Sequence, residues 1–222
     1  MVRKTKTIVG QDFTADDVER RHQIWDAVIE CITECGIEGA TIRKVADSVG
    51  GSTGMITHYF QSKKELITES ITSLTERSIA TVNESVGEKY SPQRLNAVAD
   101  LYLAHPGGDV APIAFWLWVW AEATRDADLR EVIQENFLKT RDILARCAEA
   151  GIEGGQIRAD LDPYLVADAL TSIIMGLRLR MALVPEVISP KRALEIAQFL
   201  LSAFGPPAPA EKITELRARG TT

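Results

Sequence analysis

Three groups of residues in this chain have types and spacings that can do chemistry. Cys31 and Cys35 stand one helical turn apart, a spacing open to a metal pair or a redox couple. Both also fall on the apolar face of a helical stretch, where cysteine packs as a small hydrophobe, and core is their expected role. His22 lies outside metal-ligand spacing from them, while His58 and His105 are scattered. With no phosphate loop, nucleophile motif or ligand cluster nearby, neither a metal nor a cofactor is expected, and catalysis has little support.

The second group runs from Thr41 to Lys64. Arg43, Lys44, Lys63 and Lys64 are opposed there by Asp47 alone, with Ser52, Thr53, Thr57, His58 and Tyr59 between them. Cations interleaved with short hydroxyls suit a nucleic-acid backbone. The third group is aromatic. Trp116 and Trp120 share one helical face, Phe115 and Trp118 another, and Glu122 lies one turn beyond Trp118. A helix apolar all round is usually buried, which accounts for most of these rings. A ring cage closed by Glu122 would also suit a cationic small molecule in a pocket between helices.

The rest of the composition narrows the choice. The formal net charge over 222 residues is −6. Such a chain does not coat nucleic acid by bulk charge, so any recognition must use a local patch. Three cysteines make no disulfide framework and suit a reducing cytoplasm. The basic start, Met1 to Gly10, is followed by no hydrophobic region, so no secretory signal is expected. The most apolar stretch, Ala111 to Ala121, is about half the roughly 20 residues a membrane span needs, so no membrane partner is expected.

Helical periodicity positions these groups, and about nine helices are expected in an all-α protein. The first runs from about Asp16 to Cys35, with Gly36 as its stop. Thr41, Ser52 and Ser62 read as N-caps of the next three, the last reaching about Val86. Pro92 opens a helix that ends before His105-Pro106-Gly107-Gly108, and Pro112 opens the aromatic one. Ala127 to Ala150 is one long helix stopped by Gly151. Asp162-Pro163 and Ser189-Pro190 start two more, through about Val184 and Phe204. Three short N-terminal helices, the last two joined by Gly50-Gly51, have the size of a helix-turn-helix.

The wording of that region is specific. Thr41-Ile42-Arg43-Lys44-Val45-Ala46, then Gly50-Gly51-Ser52-Thr53-Gly54-Met55-Ile56-Thr57-His58-Tyr59-Phe60, then Ser62-Lys63-Lys64-Glu65-Leu66, resemble the DNA-binding domain of the TetR family of bacterial repressors. Phe115 to Leu129 and Gly154 to Pro163 are similar to the C-terminal domain of its BetI-like branch. The resemblance implies a flexible arm over 1–14, a helix-turn-helix domain over 15–61, a ligand-binding and dimerisation domain over 62–205, and a tail over 206–222.

It also implies roles. Thr41, Arg43, Ser52, Thr53, Gly54, Thr57, His58, Tyr59 and Lys63 would face double-stranded operator DNA. Arg43 can read guanine, and Ser52 opens a helix N-terminus toward a phosphate. Lys44 is the better candidate for an ordinary surface charge. Arg3, Lys4 and Lys6 of the arm could add contacts. Phe115, Trp116, Trp118, Trp120 and Glu122 would line the inducer site. The last two helices would pair in a homodimer through Leu170, Ile173, Ile174, Gly176 and Leu177. Gly51 departs from the pattern, where a β-branched or apolar residue packs the turn, so a looser turn is expected. Two other readings stay open at this point: a helical carrier or enzyme without DNA binding, and a thiol-based redox sensor using Cys31 and Cys35.

Overall fold

The computed structural model describes residues 15–87, 89–104 and 111–206. The expected N-terminal arm, the turn at His105 and the tail beyond Pro206 lie outside the described residues. Those described form nine helices and no strand. They are α1 (Ala15–Gly39), α2 (Ile42–Ser48), α3 (Thr53–Tyr59), α4 (Lys63–Val86), α5 (Gln93–Leu103), α6 (Ile113–Ala123), α7 (Ala127–Glu153), α8 (Pro163–Leu183) and α9 (Pro190–Ala203). None is long and apolar enough to cross a membrane.

Local chemistry starts most of them where the sequence places the caps. Thr41, Ser52 and Ser189 accept from the backbone N–H three residues on, each at 3.2 Å, and Ser62 does so at 3.1 Å. Asp162 accepts from the Tyr164 N–H at 3.0 Å, with Pro163 fixed at the first helical position. At Gly36 α1 breaks, with φ 72° and ψ 174°, and a further turn carries the chain to Gly39. Only glycine enters that backbone region at no steric cost.

Two expectations need correction. Helix α7 does not stop at Gly151 but continues to Glu153, and Gly155 at φ 71° follows its end. There the Gly154 N–H donates to Ala150 O and the Gln156 N–H to Gly151 O, at 3.0 and 2.8 Å. Gly151 serves packing instead: a methyl there would stand 2.8 Å from Ile157 Cδ1 and 3.2 Å from Pro92 Cβ. The other concerns Cys35, which is exposed rather than core. It sits in the last turn before the break, and its thiol donates to Cys31 O at 2.9 Å.

The described residues divide into two compact units. Residues 15–80 and 111–137 form the first. Its core joins Ile24, Val28 and Ile32 of α1 to Val45, Ile56, Leu66, Ile71, Phe115 and Val119 from four further helices and to Phe60 just after α3. The second takes the described residues from 81 to 104 and 138 to 206. Leu95 and Leu103 of α5, Leu144 and Ala148 of α7, Val166, Leu170 and Leu177 of α8, and Ala193 and Ala197 of α9 build its core.

Candidate functional site

Helices α2 and α3 are too short to be stable alone and are held by their buried faces, Val45 and Ala46 on one and Ile56 on the other, with Phe60 just beyond. Burying those faces turns the remaining side chains outward. Thr41, Arg43, Ser52, Thr53, Gly54, Thr57 and His58 are all exposed. The Ser52 and Thr41 oxygens accept their cap bonds, which leaves each hydroxyl proton free to donate to a phosphate. Thr57 donates to Gly54 O at 3.2 Å. A methyl on Gly54 would meet nothing closer than Ser52 Oγ at 3.7 Å, so that backbone is open to close approach.

The four cations divide. Arg43 keeps 86% of its side chain exposed, 4.0 Å from Asp47. Such a surface pair is weak enough to exchange for a ligand. Lys63 donates to the Glu38 carbonyl at 3.2 Å. Lys44 turns back to α1, 3.2 Å from Cys35 Sγ and 3.6 Å from Glu34, as its reading as a surface charge suggests. Lys64 is engaged by Asp126 at 3.2 Å and by Asp128, which removes it from the positive face. The Asp126 carboxyl is held below the usual range by the Leu129 backbone N–H and then by Lys64.

Tyr59 differs from its expected role. Its hydroxyl donates to Asp17 Oδ1 at 3.1 Å, and burial, then Asp17, raises its pKa. Arg21 completes the tie: it donates to Tyr59 O at 3.2 Å, pairs with Glu69, and lies 4.7 Å over the Phe60 ring. Burial pushes the Glu69 carboxyl up against the pull of Arg21. Asp17 and Arg21, absent from the sequence reading, thus anchor the end of α3. The Gly51 turn is filled as well. A methyl there would stand 2.3 Å from Met55 Cε and 2.8 Å from its sulfur, so the Met55 thioether occupies the space of the missing side chain.

The aromatic group is only partly assembled. Trp116 and Trp120 stack at 5.8 Å with their planes 27° apart. Phe115 meets Trp116 edge-on at 5.2 Å and is buried in the core. Phe137 of α7 joins Trp120 at 6.4 Å, a partner the sequence reading missed. The Trp120 Nε1 is buried without a hydrogen-bond partner. Trp118 is not brought to this stack; it lies against Gly36. Glu122 is partly buried.

Of the expected interface residues, Leu170, Ile174 and Leu177 are buried in the core of their own unit and Ile173 packs against it. The first three are covered by their own unit, while Ile173 keeps part of its surface exposed. Gly176 is exposed, and a methyl there would meet nothing within 4 Å. The outward face of α8 carries Leu165 and Leu183, 56% and 68% exposed, with Ser172 and Gly176 between them, and α9 presents Phe199 at 75%. The cysteines do not form a couple: Cys31 is buried, and burial raises its thiol pKa, while Cys35 is exposed. Among the described residues no group of His, Cys, Asp and Glu is arranged to hold a metal.

Comparison with known proteins adds independent findings. Residues 24–69 match the family described as bacterial regulatory proteins, tetR family. Residues 92–206 match BetI-type transcriptional repressor, C-terminal. A relative from Burkholderia mallei, the HTH-type transcriptional regulator BetI, is 30% identical over 180 residues, 80% of this chain and 89% of the relative. The fold is similar to a putative transcriptional regulator from Saccharomonospora viridis in complex with choline, with TM-score 0.72 and 22% identity over 83% of this chain and 96% of that one. A putative TetR-family regulator from a Rhodococcus species gives TM-score 0.73 and 23% identity, covering 84% and 98%.

Proposed function

The chain belongs to the TetR family of bacterial transcriptional regulators, and from that premise we propose how its own residues carry the work. It is a ligand-responsive regulator of the BetI type, a repressor rather than an enzyme. Residues 15–61 bind operator DNA; residues 62–205 bind the inducer and dimerise. The carrying observation is the exposed row of Thr41, Arg43, Ser52, Thr53, Gly54, Thr57 and His58 on two helices whose other faces are buried. Arg43 reads a base edge, Lys63 leaves Glu38 O for a phosphate, and the short side chains let α3 enter the major groove.

The inducer binds against the Trp116–Trp120 stack and Phe137. Stacked indoles offer electron-rich faces to a cation, and the unpartnered Trp120 Nε1 calls for an acceptor oxygen. Choline, held by one structural relative, carries both a quaternary ammonium and a hydroxyl and is the first compound to test. The protein works in the cytoplasm as a homodimer, through the outward face of α8 with Leu165, Gly176 and Leu183 and through Phe199 of α9. A two-fold dimer sets its half-sites about one helical turn of DNA apart or slightly more.

A gel shift with genomic fragments flanking the gene tests this reading. One fragment should be retained and released when the inducer is added. Release by choline, with quenching of tryptophan fluorescence, would identify the ligand. Retention of no fragment would overturn the reading.

A further inference from the structure

Of the four rings of α6, Trp118 is the one that lies against Gly36, at the break in α1. A methyl placed on Gly36 would stand 3.3 Å from its indole carbons Cδ2 and Cε3. Gly36 is where α1 breaks, and the backbone that follows is a tight hand-over to the DNA-binding helices. The Ala40 N–H donates to Gly36 O at 3.1 Å, the Thr41 N–H donates to Gly39 O at 3.0 Å, and Thr41 then caps α2. Lys63 of α4 donates to the carbonyl of Glu38 in the same turn. The indole can approach because Gly36 has no Cβ, and no other residue takes φ 72° there without strain. Trp118 is 50% exposed, so much of its surface is left out of the core it would otherwise serve.

We propose that Trp118 is a positioning residue: its indole sets the Gly36–Ala40 turn, and the turn sets α2 and α3, so that a side chain outside the DNA-facing row controls operator affinity. This rests on the DNA-binding reading above. It gives α6 two outputs on separate partners, since Trp116 and Trp120 meet the ligand cluster while Trp118 meets the α1–α2 junction. A shift of α6 reaches α2 and α3 through the packed turn at Gly36–Ala40.

The test uses the full chain and a duplex selected from a random library by the wild-type protein. Affinity is read by fluorescence anisotropy across a salt series. Trp118→Ala should bind roughly 2–30-fold more weakly, with an unchanged salt slope because every phosphate contact is kept. Trp118→Phe should recover most of the loss. Leu117→Ala, which removes a neighbouring side chain that is 42% exposed, should bind like wild type. The Ala40 and Thr41 amides should exchange faster in Trp118→Ala. If that variant is too unstable to assay, Trp118→Phe decides, with a weaker and measurable effect at the same amides. Wild-type affinity in the Trp118 variants overturns the proposal, as does an equal loss in Leu117→Ala. If the wild type selects no duplex, the DNA-binding reading fails before any variant is made, and the proposal falls with it.

Discussion

The hydroxyl of Tyr59, at the end of α3, donates to Asp17 Oδ1 in the first turn of α1 across 3.1 Å. The family resemblance assigns that hydroxyl to the DNA backbone, yet in the free protein its only proton is committed to a carboxylate. Together with Arg21 on the Tyr59 carbonyl, the bond anchors the end of α3.

Tyr59 therefore acts first on stability. Burial and Asp17 raise its pKa, so the fold favours the neutral phenol. That contribution is complete below the unfolded value of about 10 and is lost as pH rises through the higher folded value. Tyr59→Phe should cost about 0.5–1.5 kcal/mol at neutral pH. The gap from wild type should narrow in alkali. Urea unfolding at pH 7 and above pH 10 checks both, and a gap that widens with pH would refute the assignment.

Gly54→Ala should separate stability from recognition. Ala is the better helix former by about 1 kcal/mol, and the added methyl meets open space. The melting temperature should rise while affinity for a selected duplex falls, because the proposed site brings this backbone close to DNA. Unchanged affinity would place the N-terminus of α3 away from the groove.

Lys63 and Arg43 should fail differently. Lys63→Ala removes one exposed bond to Glu38 O, so the fold should tolerate it. Binding should weaken for all sequences, with the salt slope reduced by about 1 per subunit. Arg43→Ala should relax preference at one position per half-site, costing about 1–3 kcal/mol. Selection returning the wild-type consensus would remove Arg43 from the base-reading set.

The two faces of α8 should give opposite phenotypes. Leu183→Glu and Gly176→Leu alter the outward face and should yield folded monomers in sedimentation. Leu177→Ala empties part of the core and should lower stability by about 2–5 kcal/mol. A wild-type chain that sediments as a monomer at micromolar concentration would exclude the dimer.

What the sequence made legible was local. Thr41, Ser52, Ser62, Asp162 and Ser189 each act on a backbone group two or three residues away, so type and spacing sufficed to place them. Contacts made at long separation were not readable: Asp17 and Arg21 reach Tyr59 across 42 and 38 residues, and Lys64 reaches Asp126 across 62. Helix α8 exposes a different limit. It is apolar on two sides, so periodicity could not say that Leu170, Ile174 and Leu177 point inward while Leu165 and Leu183 point out. The aromatic helix has a related limit: spacing puts Trp116 with Trp120 on one face and Phe115 with Trp118 on another, but cannot say that Trp118 lies against Gly36.

The thioether of Met55 over Gly51 makes those two positions trade in one volume. A side chain at 51 displaces the Met55 thioether from its present place, because a methyl on Gly51 would stand 2.3 Å from Met55 Cε. Gly51→Val should therefore cost the packing of Met55, and Met55→Ala should leave a hole, while the double exchange restores the fill. The interaction energy of that cycle should be about 0.5–3 kcal/mol in favour of the pair. A branched residue in the turn is best accompanied by a shorter residue at 55 in α3. The grammar of the turn thus constrains the vocabulary of the helix that follows it.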